Sequence, residues 1–132
     1  MSVETAMRVR MASKPGEIAR VTRLLSDSNV SLRAVAAVDN GVDSTIEFLV
    51  DDPDHGRQAL HAAGEPFDEV RMVVAWMPNH PGALYRACAA LAAAEINLMG
   101  VYLVASGATG QRMAFNCSDC ERAERLLTTI AY

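Results

Sequence analysis

The 132-residue sequence is short of aromatic side chains, at 5%, and carries no excess of basic ones. A net charge of −4 and a pI near 5.3 leave no basic patch of the kind that holds a phosphate backbone. With so few Phe, Tyr and Trp residues there is no stacking platform for single-stranded nucleic acid either. No nucleic-acid partner is expected. Long apolar runs are also missing: "VVAWM" and "ACAALAAA" fall well short of the roughly 20 residues that span a bilayer. The opening "MSVETAMRVRM" is interrupted by Glu4, Arg8 and Arg10 and so lacks an apolar signal core. Cysteine is scarce, with Cys88, Cys117 and Cys120 alone. Together these absences point to the cytoplasm, free thiols and no membrane partner.

What is present is a foldable composition, 51% hydrophobic and 21% charged, without linker, charge block or low-complexity segment. The length suits one ordinary domain or two very small ones sharing a core. An internal repeat decides for the second. A shift of 66 residues lays Met11 on Met77, Pro15 on Pro81 and Gly16 on Gly82. The same shift pairs Arg20 with Arg86, Leu25 with Leu91, Leu32 with Leu98, Val35 with Val101, Val38 with Val104 and Gly41 with Gly107. Beyond that glycine a shift of 67 lays Phe48 on Phe115, Asp52 on Asp119 and Leu60 on Leu127, so one inserted residue is expected in the turn. The units are 1–70 and 71–132.

Each copy reads alike. Met7, Val9 and Met11 alternate with Arg8 and Arg10, which predicts a half-buried strand. Pro15-Gly16 opens a helix with an apolar stripe of Ile18, Val21 and Leu25, matched by Leu84, Ala87, Cys88 and Leu91. "NVSLRAVAAV" gives a turn and a strand, Asn40-Gly41 a hairpin, and "STIEFLV" the returning strand. Asp52-Pro53 caps a second helix running to about Ala63, and Gly64 stops it. "PFDEV" is a fourth strand that flows into the second copy, which itself reaches Tyr132 before any fourth strand. The fold class is α+β: two ferredoxin-like βαββαβ units in tandem, antiparallel strands with helices on one face.

The loops carry a resemblance. Before the first helix of each copy stand Ser13-Lys14-Pro15-Gly16 and Asn79-His80-Pro81-Gly82; entering the second strand stand Val30-Ser31-Leu32 and Ile96-Asn97-Leu98. Both elements, twice and in this order, make the whole chain resemble a tandem ACT-domain protein. The resemblance implies a regulatory module that binds a small ligand, usually an amino acid, at interfaces between paired domains. It places Asn79 and Asn97 on the ligand, with His80, Pro81, Gly82, Ala83, Ile96 and Leu98 around them, and Ser13, Lys14, Gly16 and Ser31 in the first copy.

Chemistry supports the same loops independently. A free amino acid presents a carboxylate and an ammonium, and a carboxamide offers both a donor and an acceptor. The helix start after Pro81-Gly82 supplies unpaired N–H groups and the positive end of a dipole, and Gly82 lets a ligand approach the backbone. Plainer roles stand beside these: Asn79 as a helix cap, Asn97 as a turn residue of unusual backbone, Ser13 and Ser31 as structural groups, and His80 as a solvated loop residue. His55 and His61 show no partner. Cys117 and Cys120 have redox or metal spacing, yet fall at a strand end and a helix start, where Cys packs as a small apolar residue. No metal or cofactor is expected.

One asymmetry separates the copies. Where the first has outward Arg8 and Arg10, the second has Val74 and Trp76, joined by Met72. An apolar face there is expected to meet a second chain, closing a homodimer, unless Trp76 lies under its own chain. The missing fourth strand likewise leaves an unpaired edge. The reading is an amino-acid-binding regulatory protein, not an enzyme, that acts allosterically and passes its output to a metabolic enzyme or regulator. Two alternatives are an interaction subunit without a ligand and a small ferredoxin-like enzyme using His80 or Cys117.

Overall fold

A computed structural model describes residues 1–132. Ten elements follow in order: β1 (Ser2–Ala12), α1 (Glu17–Asp27), β2 (Leu32–Asp39), β3 (Asp43–Val50), α2 (Pro53–Ala62), β4 (Asp68–Met77), α3 (Ala83–Ala93), β5 (Leu98–Gly107), β6 (Gly110–Cys117) and α4 (Cys120–Leu127). They gather into two compact units, Thr5–Val70 and Arg71–Tyr132, the latter taking in Met1–Glu4. Both are ferredoxin-like, with strand order β2-β3-β1 in the first and β4-β6-β5 in the second. Strands β2 and β5 are edges.

In the N-terminal unit the period-two pattern of β1 sends Met7, Val9 and Met11 inward. They meet Ile46, Phe48 and Val50 of β3 beneath Val21 and Leu25 of α1 and Ala59 and Leu60 of α2. Outward Arg8 stands opposite Glu47 in the β1–β3 register and pairs with it at 2.7 Å. The C-terminal unit repeats the plan: Val73, Ala75 and Met77 of β4 pack with Met113 and Phe115 of β6 against Ala87, Leu91, Ala123 and Leu127. Its second helix starts as its counterpart does. Asp52 accepts from the His55 N–H at 3.3 Å and Asp119 from the Arg122 N–H at 3.1 Å, each satisfying an end group of the helix that follows.

Several expectations are corrected. Ile18 is 47% exposed, so only Val21 and Leu25 form the buried stripe of α1; the first turn stands at the rim of a surface cavity instead of over the sheet. The inserted residue of the second copy is not in the turn. Ala37, Val38 and Asp39 face Ile46, Thr45 and Ser44 without interruption, whereas the β5–β6 register shifts between Leu103 and Ala105. The extra residue is a bulge within β5, which a strand absorbs by one unpaired position. No strand follows α4, as the sequence implied, and Met1–Glu4 joins the C-terminal unit, with Val3 packed against its core. Met72 and Val74, assigned to an intermolecular face, are 0% and 3% exposed within the chain itself; of that face only Trp76, at 49%, remains open. His61 has a partner after all, meeting the Phe67 ring edge-on at 5.1 Å. No helix is long and apolar enough to cross a membrane.

Candidate functional site

In both units the loop between the first strand and first helix ends on a glycine that caps the helix. Gly16 has φ 89° and Gly82 φ 90°, and neither helix has a side-chain cap. Pro81-Gly82 therefore forms the turn before α3 and not its first turn, and Asn79 is not the cap. A Cβ on Gly82 would meet nothing within 4 Å, so the left-handed backbone, not crowding, calls for glycine there. The loop is tied by the Ala83 N–H donating to the His80 carbonyl at 3.2 Å. Nδ1 of His80 donates to the Pro81 carbonyl at 3.1 Å, since a carbonyl only accepts. Asn79, His80, Pro81 and Gly82 are exposed, and Ala83 is buried. The first N–H groups of α3 open onto this loop without partners inside the helix.

The second element lies at the other end of the same helix. After α3 the left-handed residue is Glu95, φ 57°, as Asn29, φ 59°, is after α1. Asn97 is thus not the strained turn position. Its N–H donates to Ser118 Oγ and its carbonyl accepts from the Ser118 N–H, both at 2.9 Å, which leaves the carboxamide exposed. Ile96 is 4% exposed and Leu98 packs on the core, so both are structural. The eleven residues of α3 separate Asn79 from Asn97 by about 16 Å along the axis. Within one unit the two carboxamides do not converge.

The N-terminal unit makes the same separation visible as two cavities. One, of about 380 Å³, is lined by Ser13, Lys14, Glu17, Ile18, Val38 and Asp39; another, of about 250 Å³, is lined by Asn29, Ser31 and Leu32. Gly16 stands at the turn beside the first. Asp39, which sequence reading passed over, organises that end. Its carboxylate accepts from Ser13 Oγ and Ser44 Oγ, each at 2.5 Å, and from the Gly41 N–H at 2.6 Å. These hydrogen bonds, Ser13's first, hold its pKa below the usual carboxylate value. The signal for it was the Asp39-Asn40-Gly41 turn; its bond to Ser13 was not readable. Lys14 reaches Glu17 at 3.6 Å.

By register, Ser106 opposite Gln111 takes the place of Asp39 opposite Ser44, and His80 and Ala83 take the places of Lys14 and Glu17. The C-terminal loop end therefore offers amide and hydroxyl groups where the N-terminal one offers charges. Cys117 stands opposite Leu98 in the β5–β6 register, beside the Ile96-Asn97-Leu98 element. Burial, then neighbouring Cys120 and Cys88, pushes the Cys117 thiol up to about 11, and Cys120 Sγ donates to the Arg71 carbonyl at 3.5 Å. Both belong to the core. No cluster of His, Cys, Asp or Glu could hold a metal ion.

No protein-family model matches the chain, and no curated protein matches it. Solved structures do. A protein of Bacteroides thetaiotaomicron is similar over 96% of this chain and 87% of its own, with TM-score 0.85 and 23% identity. The ligand-free regulatory subunit of aspartate kinase from Thermus thermophilus is similar over 97% of this chain and 96% of its own, at TM-score 0.67 and 16% identity. The regulatory subunit from Thermus flavus follows, over 96% and 92%, at TM-score 0.66 and 15% identity. At these identities the likeness is one of fold: a tandem pair of ACT-like units.

Proposed function

We propose that the protein is a regulatory module that binds a free amino acid between the C-terminal units of two copies of itself. The observation that carries this reading is the β5 edge. It is unpaired on one side, and Met99, Val101 and Leu103 along it are 57%, 36% and 49% exposed. Apolar side chains on an open edge strand favour addition of another strand.

The same edge resolves the separation of the carboxamides. Helix α3 starts by the end of β5 and finishes by its beginning, because β4 and β5 both pair antiparallel with β6. A two-fold axis through the middle of β5 runs two such strands antiparallel and sets their α3 helices head to tail. The Asn79 loop of one copy then lies beside Asn97 of the other. Pairing of β5 with β2 would give Asn79 only a serine, Ser31, so the symmetric pairing unites both carboxamides. Between them a zwitterion finds helix N–H groups for its carboxylate and the carbonyl end of the other α3 for its ammonium. Two sites form per dimer. A ligand touching both copies stabilises their association, and that is a regulatory signal for a partner enzyme or regulator. The regulatory role of the two aspartate kinase subunits of like fold agrees with this.

The test is a thermal-shift screen of the twenty amino acids, with sedimentation on the same samples. Ligand at ~100 times its dissociation constant adds about 2.7 kcal/mol to stability. The wild type should be a dimer with at least one hit, and Leu103→Glu should yield a folded monomer that loses the hit. A monomeric wild type, or a hit that survives in the Leu103→Glu monomer, refutes the interface site.

A further inference from the structure

We infer that the amino acid taken at the C-terminal site has an uncharged side chain. The inference rests on the function proposed above and adds the ligand class to it. It starts from the contrast between the two loop ends. In the N-terminal unit three ionised groups rim the cavity: the Lys14 ammonium, the Glu17 carboxylate 3.6 Å away, and the Asp39 carboxylate. In the C-terminal unit their places are held by His80, Ala83 and Ser106, and the serines Ser13 and Ser44 give way to Asn79 and Gln111.

The charges that remain near this end are turned elsewhere. Arg112 faces Trp76 across the β4–β6 register, on the opposite side of the sheet from Gln111 and Met77. Arg86 donates to the Ala131 carbonyl at 3.3 Å. At the other helix end, the part supplied by the second copy, Asp119 follows the Ser118 that bonds Asn97 but accepts from the Arg122 N–H at 3.1 Å, which leaves Glu95 as the charged residue next to Ile96, Asn97 and Leu98 in the chain. It sits with the carbonyl end of α3, where both act on the ligand's ammonium. The ligand's own carboxylate and ammonium therefore use every complementary group in reach. An acidic side chain would find no Lys or Arg turned towards it and a basic one no carboxylate that is not already engaged, and a charge held without a partner opposes binding. A neutral side chain lies instead against amide and hydroxyl groups and the apolar edge of β5.

Calorimetric titration of the full chain decides the matter, with glycine, alanine, valine, leucine, methionine, serine, threonine and glutamine on one side and aspartate, glutamate, lysine and arginine on the other. The tightest ligand should be neutral and bind at least about tenfold better than any charged one. Asn79→Ala should abolish its binding. Ser106→Asp, at an exposed position that tolerates the change, puts a carboxylate where Asp39 stands in the other unit and should weaken the neutral ligand about tenfold. Circular dichroism confirms that both variants fold. A charged ligand that binds tightest and depends on Asn79 overturns the inference while leaving the proposed function standing. A neutral ligand indifferent to both substitutions overturns it by placing the binding elsewhere. Absence of binding by all twelve, with no hit among the twenty in the thermal-shift screen, removes the proposed function and this inference with it.

Discussion

Gly110 opens β6 next to Gln111, and its replacement by alanine tests the tight packing at that end of the sheet. Its φ is 148°, within the range that L side chains rarely adopt. A Cβ there would lie 2.6 Å from the Met77 carbonyl oxygen and 2.6 Å from Cε2 and Cζ2 of Trp76. One obstacle is backbone, which cannot swing aside; the other is a ring that would have to leave its place. Strained dihedrals cost about 1–3 kcal/mol and forced overpacking costs a similar amount. Gly110→Ala should therefore lose about 3 kcal/mol, a fall in Tm on the order of 10 °C for a chain of this size. Urea unfolding followed by fluorescence reads both the stability and the ring, because Trp76 is the single tryptophan. Its emission in the folded state should change as well. Gly107→Ala is the control: its Cβ meets nothing within 4 Å and should shift stability by less than about 0.5 kcal/mol. If Gly110→Ala costs less than about 1 kcal/mol with unaltered emission, the close approach of Trp76 to β6 is wrong.

Two further outcomes follow from the titrating groups. Asp39 is held below its ordinary pKa of 3.8 by Ser13, Ser44 and the Gly41 N–H, so its ionised form stabilises the fold fully above that value. The contribution is lost as pH falls below 3.8 towards the lowered folded pKa; Tm against pH should show a shallower acid limb for Asp39→Asn than for wild type. Burial raises the thiol pKa of both Cys88 and Cys117, the latter to about 11. Iodoacetamide at pH 8 followed by mass spectrometry should label half-buried Cys88 slowly, and Cys117 and Cys120 only after denaturant is added.

The Asp39 network also bears on why the two units differ. With Ser13 donating to Asp39, the first loop is tied to the hairpin that follows β2, whereas Asn79 has no such carboxylate across from it. The N-terminal loop is thus a structural joint, and its C-terminal counterpart lacks that tie.

Much of this was legible in the residues themselves, for reasons that are local. Period-two alternation in Met7, Val9 and Met11, the Asp52 and Asp119 caps and the Asn40-Gly41 turn each depend on chemistry within a few positions. Repetition of the same signals, at a shift of 66 and then 67 residues, pointed to a tandem pair of like fold. Even the separation of Asn79 from Asn97 was implicit, since a rigid eleven-residue helix lies between them.

Other features depended on which strand lies beside which, and no local pattern encodes that. The inserted residue looked like a turn insertion because turns tolerate length, yet the β5–β6 ladder shows it as a bulge after Leu103. Met72 and Val74 looked like interface residues because alternation points them away from their own core, but pattern alone does not show that the chain buries them itself. Ser13 and Asp39, 26 positions apart, meet only because the strand pairing brings the loop and the hairpin to one end of the sheet. Sequence determined the elements and their duplication, because dihedral preference and amphipathic period act over short range. The tertiary structure alone decided burial, register and which polar groups share a cavity, because those arise from contacts between segments far apart along the chain.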